Sequence, residues 1–227
     1  MFHRPINQSR RPAQPGLRRR APHPTGAFTL IEMMVVVGVI GLLAGMMIAA
    51  MPALTDRKIR KRIEVELAGL ETAIQSYKAD KGYFPPDNTN NVSQPPLFYE
   101  LTGTVITNQN NGPDFISVLD QVLLPKASVK SAFNIDGFLN SGTDVSEIRN
   151  FYRSLKPTAA NTNHYLPPNI KLLVVPYRGP ANSLDPKGDF NPWRYNVSNP
   201  ANNLNGFDLW AEITNRNKLV IIGNWKE

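Results

Sequence analysis

Glu32 stands immediately before residues 33–51, nineteen positions of Met, Val, Ile, Leu, Ala and Gly without a charge. A carboxylate at the edge of such a stretch costs about 2–3 kcal/mol to bring into lipid, so by default it is functional, with a partner to be named, the alternative being that it snorkels to the headgroups. Other reactive groups are sparse. The only His beyond residue 26 is His164, in a polar, loop-like stretch that suits a surface residue better than a general base. Asp185 and Asp189 make a carboxylate pair, but Pro186 and Gly188 around them mark a turn. No Gly-x-Ser-x-Gly, phosphate-binding loop or metal-spaced His set occurs. The absence of Cys excludes a disulfide scaffold, a zinc ribbon, an iron–sulfur cluster and a thiol nucleophile. These residues argue against an enzyme.

The elements that must position Glu32 begin with a basic leader. The 227-residue chain has a formal charge of +7, and Arg4, Arg10, Arg11, Arg18, Arg19 and Arg20 place six of those charges in the first 26 residues, with no acid. Residues 27–227 hold 19 basic and 18 acidic side chains, a balance that argues against a nucleic-acid partner bound through phosphate. The leader, rich in Pro and Arg, is expected to be disordered. Residues 33–51 would span about 28 Å as a helix, matching a bilayer core of about 30 Å. The run is too long for a secretory signal and is followed by Pro52 rather than a small-residue cleavage site, so it is expected to stay attached. Charge leaves the topology open, because Arg57, Lys58, Arg60, Lys61 and Arg62 follow the span as Arg18, Arg19 and Arg20 precede it.

Past Pro52, Ile59, Ile63, Leu67, Leu70, Ile74 and Tyr77 recur three or four positions apart. This stripe predicts that the membrane helix continues as an amphipathic one, closing at Lys81-Gly82 before Pro85-Pro86. From Phe28 to Asp80 that is one helix of 53 residues, about 80 Å long. In the remainder, 104–107, 193–197, 207–213 and 218–222 read as strands, and 170–177 as a short buried one. Phe115, Val118, Leu119, Val122 and Leu123 fit one helical face. Short connections favour an antiparallel sheet packed on the amphipathic stripe, an α+β architecture.

Gly26-Ala27-Phe28-Thr29-Leu30-Ile31-Glu32, with the basic leader before it and the apolar run after it, resembles the processing motif of the type IV pilin and type II secretion pseudopilin superfamily. Weaker matches follow in order: Tyr77-Lys78-Ala79-Asp80-Lys81-Gly82-Tyr83-Phe84-Pro85, Asn191-Pro192-Trp193-Arg194-Tyr195, Phe207-Asp208-Leu209-Trp210 and Ile222-Gly223-Asn224-Trp225. They are most similar to the major pseudopilin of type II secretion. The resemblance covers roughly 20–86 and 189–227, leaving about 100 residues unmatched.

The resemblance implies a type IV pilin-like fold: a long N-terminal helix, transmembrane then amphipathic, packed on a C-terminal antiparallel sheet. It divides the chain into a cleaved leader (1–27), a transmembrane segment (28–54), an amphipathic segment (55–82) and a periplasmic globular domain (83–227) with a long insertion (87–188). A prepilin peptidase is expected to remove the leader and methylate the new amine. The family cuts between Gly and Phe, yet Ala27 intervenes. A cut after Gly26 makes Glu32 the sixth residue, whereas one after Ala27 keeps Phe28 first and Glu32 fifth, the spacing that sets fibre register. Glu32 is expected to pair with the N-terminal amine of a neighbouring subunit in a helical homo-oligomeric filament. Gly41, Gly45, Ala49 and Ala53 make a face of small residues suited to close packing in lipid, and Gly41 and Pro52 correspond to positions that loosen the family's helix during assembly.

Further expected partners are minor pseudopilins, an inner-membrane assembly platform and membrane lipid, with the N-terminus cytoplasmic and the pseudopilus periplasmic. Major pseudopilins hold calcium in an Asp-rich loop before the last Trp. Between Trp210 and Trp225 this chain offers Glu212, Asn215, Asn217 and Asn224 but no Asp, so no cofactor is expected. The function implied is a structural subunit that drives export across the outer membrane. A pilin for adhesion, motility or DNA uptake is the alternative, and a membrane-tethered periplasmic domain the remote one.

Overall fold

Helix α1 (Leu30–Lys81) takes up 52 residues of the computed structural model, which describes residues 28–108, 114–156, 159–164, 166–182 and 184–225, with backbone only at 49–53. The leader and both residues of its alternative cleavage positions, Gly26 and Ala27, lie outside the described residues. The chain divides into two units, residues 1–49 and 50–227.

The described part of the first unit is helical from Leu30 onward. Its stretch Leu30–Ile48 is long and apolar enough to cross a membrane, and none of its 19 side chains is buried within the chain. Burial inside the protein therefore does not explain these apolar residues. A 19-residue apolar surface left uncovered calls for lipid or other chains.

The second unit starts within α1. Ile63, Leu67, Leu70, Ala73, Ile74 and Tyr77 are buried, whereas Arg57, Lys58, Arg60, Lys61 and Arg62 are exposed, so one stripe of the helix faces a core. The helix stops where the sequence says it should. Gly82 takes φ +85° and donates its N–H to the Lys78 carbonyl at 2.8 Å, a conformation that spares a side chain the left-handed penalty.

The same core takes in a three-stranded antiparallel sheet, β7 (Arg194–Asn196), β8 (Asp208–Asn215) and β9 (Lys218–Gly223) in that order, numbered after the six strands of the preceding segment. Leu209, Ala211 and Ile213 alternate inward along β8, with Trp210 and Glu212 half-buried on the other face. Ile222 lies opposite Ala211 and Tyr195 opposite Leu209, extending the inward face across the sheet. All three strands fall within the segments 193–197, 207–213 and 218–222 expected as strands, apart from one or two residues at the ends of β8 and β9.

The described residues of the segment 87–188, for which the sequence supplied no match, are folded. It contains α2 (Leu97–Thr102), β1 (Thr104–Thr107), β2 (Asp114–Ser117), β3 (Leu123–Leu124), α3 (Lys126–Phe133), β4 (Ser141–Gly142), a 3₁₀ turn (Val145–Glu147), β5 (Ala160–Asn161) and β6 (Leu172–Leu173). Strands β3-β2-β1-β4 form one sheet, antiparallel except for the β1–β4 pair, and β5 pairs with β6. The buried strand expected over 170–177 is limited to β6 and a bridge from Val174 to Pro192.

The helical face expected from Phe115 to Leu123 is not a helix. Phe115 pairs with Leu124 and Ile116 with Leu123 in a hairpin, closed by Gln121 at φ +56° and by the Ser117 N–H bonded to the Val122 carbonyl. Two short apolar strands separated by a five-residue turn reproduce a three-and-four spacing by accident, a case in which periodicity cannot tell the two structures apart.

Candidate assembly site

Thr29 and Glu32 close a reciprocal cap at the head of α1. The Thr29 backbone N–H and its hydroxyl both donate to Glu32 Oε2, each at 2.8 Å, while the Glu32 N–H donates to Thr29 Oγ1 at 3.2 Å. This is the Ser/Thr-x-x-Glu capping box, which satisfies backbone N–H groups that the first helical turn leaves orphaned. The motif was readable in the sequence. The partner expected for Glu32 was intermolecular, and Thr29 was expected to have no part.

Phe28, Ile31, Val35 and Val36 surround Glu32 in a shallow, almost wholly apolar depression. Among the described residues no ion pair involves Glu32. The arrangement thus presents a capped carboxylate in a greasy setting with no cation supplied by the described part of its own chain. Chemically it can attract and orient a positive group, and the one hydroxyl bonded to it, that of Thr29, is engaged in the cap.

Of the other expected assembly residues, Gly41 and Gly45, with Gly38, would carry a Cβ into open space, so none of the described residues fills the face they make. Pro52 sits within the helical backbone of α1, where it withholds one N–H from the ladder; its side chain lies outside the described residues, as do those of Ala49 and Ala53.

The oxygen donors between Trp210 and Trp225 do not converge on a cation. Glu212 pairs with Arg194 at 3.1 Å and accepts from Trp210 Nε1 at 3.1 Å. Asn224 accepts from the Leu209 N–H and donates to the Phe207 carbonyl, and Asn215 and Asn217 belong to the β8–β9 hairpin and its turn. Just upstream, the buried Asp208 carboxylate accepts the N–H groups of Ala201, Asn202 and Asn203 at 2.7–2.9 Å. Backbone amides supply the positive ends here, so these residues do not fit a calcium site, which needs six to eight converging oxygens. Trp210 and Trp225 meet edge to face with centroids 6.0 Å apart.

The remaining polar candidates have structural work. Asp185 accepts from the Lys187 and Phe190 N–H groups at 2.8 and 2.6 Å, and these bonds hold its carboxyl below the usual range. Gly188 at φ +74° completes that turn, while Asp189 pairs with Arg178 at 3.2 Å. His164 is an exposed turn residue.

One buried carboxylate escaped the sequence reading altogether. Glu100, on α2, accepts from the Tyr77 hydroxyl at 2.9 Å and from the Leu139 and Asn140 N–H groups at 2.9 and 3.1 Å. Burial pushes its carboxyl above the ordinary value, with those donors opposing in part. Nothing local in the sequence marks it, because its partners are 23 to 40 positions away.

Three known proteins are similar to the chain over a limited window. The type II secretion system core protein G of Klebsiella michiganensis is 33% identical over 58 residues, 26% of this chain and 41% of the relative. The fimbrial protein EcpC of Eikenella corrodens is 39% identical over 64 residues, 27% of this chain and 40% of the relative. The type II secretion system core protein G of Escherichia coli is 30% identical over 69 residues, 30% of this chain and 48% of the relative. The chain spans between two fifths and one half of the length of these relatives. No family model and no solved structure matches it. The chain therefore resembles the superfamily of type IV pilins and type II secretion pseudopilins, and none of the three relatives carries the name of an enzyme.

Proposed function

We propose that the chain is a structural subunit of a type II secretion pseudopilus, anchored by a single membrane span and polymerising through α1 to drive export across the outer membrane. One observation supports this reading: Glu32 lies in a 19-residue apolar helical stretch that none of the described residues of its own chain covers, without a cation among them. Lipid can cover that surface before assembly. Neighbouring copies of the same helix, each bringing an N-terminal amine, can cover it and neutralise the carboxylate afterwards.

On this reading a prepilin peptidase cuts after Gly26 or Ala27 and methylates the exposed amine. The leader is cytoplasmic, and the globular domain of residues 83–227 decorates a periplasmic fibre that also contains minor pseudopilins and grows from an inner-membrane platform. The chain has no catalytic role and no nucleic-acid partner. Calcium has no part in it, in keeping with the N–H donors that occupy Asp208.

The second reading, a type IV pilin subunit, draws on the similarity to the fimbrial protein of Eikenella corrodens. Gene deletion separates the two. Loss of extracellular proteins with unchanged surface fibres supports the secretion role, whereas lost fibres with normal secretion overturns it. A chain that forms no filament when overproduced with its assembly machinery would overturn both and leave a tethered domain. Intact mass of the mature chain distinguishes the two cut positions.

A further inference from the structure

Charge is not spread evenly over the second unit. Residues 57–62 of α1 carry Arg57, Lys58, Arg60, Lys61 and Arg62. The turn between β8 and β9 joins them, because Arg216 reaches Asp56 at 3.1 Å; Lys218, exposed, lies two residues further along the same turn. Glu64 takes up Arg60 and Lys61 at 2.9 and 3.1 Å, and Glu66 takes up Arg62 at 3.7 Å. Arg57 and Lys58 are exposed and have no ion-pair partner among the described residues. Seven bases against Asp56, Glu64 and Glu66 give this collar a net +4, while the rest of residues 27–227, with twelve bases and fifteen acids, nets −3.

The collar also has a place in the chain. Residues 33–55 carry no charge, and 23 helical residues measure about 35 Å, slightly more than a hydrocarbon core of about 30 Å. The first charges after the span therefore fall at headgroup depth, where long basic side chains reach phosphates while keeping their stems in apolar surroundings. An acidic protein or nucleic acid would have to compete with a membrane already tethered beside the patch.

We propose that this collar, Arg57 and Lys58 together with the Arg216–Lys218 turn, is a docking surface for anionic phospholipid headgroups. It rests on the reading that residues 33–51 span a membrane. Attraction of this kind acts within a Debye length of about 8–10 Å and weakens with salt. It holds the β8–β9 turn against the leaflet from which α1 emerges, so a subunit must surrender these contacts when it leaves the membrane.

The absence of Cys makes the test clean, since Asn217→Cys in the exposed turn supplies a single labelling site. The full chain carrying a fluorophore there is placed in nanodiscs of phosphatidylcholine, or of phosphatidylcholine mixed with phosphatidylglycerol, each doped with a headgroup spin label. Quenching is expected to be stronger in the anionic discs, to fall with added salt, and to be lost in Arg57→Gln/Lys58→Gln. The matched change Lys126→Gln/Lys130→Gln on α3 should leave it intact. Equal quenching in the two lipids, or equal loss with the α3 variant, overturns the collar. A chain that fails to enter the neutral discs overturns the membrane span itself, and the collar with it.

Discussion

Tyr77, in the last three turns of α1, donates its hydroxyl to Glu100 of α2 at 2.9 Å, and neither side chain is exposed to solvent. The bond fastens the inserted segment to the helix. Burial raises the proton affinity of Glu100 in the folded chain above its unfolded value. Between those two values the folded state keeps a proton that the unfolded state has released, so this group's contribution to stability falls as pH rises from about 4.3 through the folded value, and the loss is complete above it. Glu100→Gln abolishes the titration. Urea unfolding of both proteins in detergent from about pH 4 to about pH 8 should show the variant gaining on wild type as pH rises; a constant difference would refute the assignment.

Tyr77→Phe addresses the same bond from the other side. It leaves a buried carboxylate one donor short, at a cost of about 1–3 kcal/mol. The unfolding midpoint should drop without a change in the denaturant slope.

On the proposed reading, Glu32→Ala should leave leader removal intact and reduce filament yield sharply, because the carboxylate and not the helix would be what a neighbour's amine requires. Thr29→Ala has a different signature. It deletes the hydroxyl of the capping box for about 1 kcal/mol of helix-end stability and leaves the carboxylate in place, so assembly should be reduced only modestly. Comparing mature chain and sheared filaments by immunoblot separates the two, and wild-type filament yield in Glu32→Ala would sink the proposed role.

Arg194 lies almost wholly buried, with Glu212 as its ion-pair partner at 3.1 Å. Glu212→Ala strands a buried guanidinium and should destabilise the sheet by about 3–5 kcal/mol, whereas replacing both residues by apolar ones of similar volume should cost far less. Thermal melts of the single and double variants give the comparison. A double variant as unstable as Glu212→Ala would mean that packing, not the lone charge, sets the cost.

Asp208→Ala removes the acceptor for three backbone N–H groups of residues 201–203. Hydrogen exchange at those amides should speed up, and the melting temperature should fall. Because no convergent oxygen cage exists in this region, adding calcium or chelating it should leave the wild-type melting temperature unchanged. An upward shift with calcium would show that the loop binds the ion after all.

The parts of this fold that were legible in the sequence are those governed by local pattern. Ile63, Leu67, Leu70 and Ile74 announce a helix face because each turn repeats the last, and Gly82 announces its end. Leu209, Ala211 and Ile213 announce a half-buried strand in the same way. Strands β3, β4, β5 and β6, of two residues each, are too short to carry a period. They exist because of pairings such as Thr104 with Ser141 and Ala160 with Leu173, which only the assembled chain supplies. Glu32 was found from its setting, but its bond to Thr29 was overlooked although the capping box is local. Glu100 could not be found, because its meaning lies in residues far along the chain.

The bond between Thr29 and Glu32 bears on the subunits that have not yet joined a fibre. Both donors from Thr29 land on Oε2, so on the proposed reading the carboxylate would enter lipid already solvated by its own helix end rather than bare. On the filament reading, a waiting chain can linger in the bilayer with its charge parked. Recruitment then becomes an exchange of one set of hydrogen bonds for a stronger ionic one, and the membrane serves as a reservoir from which growth can draw on demand.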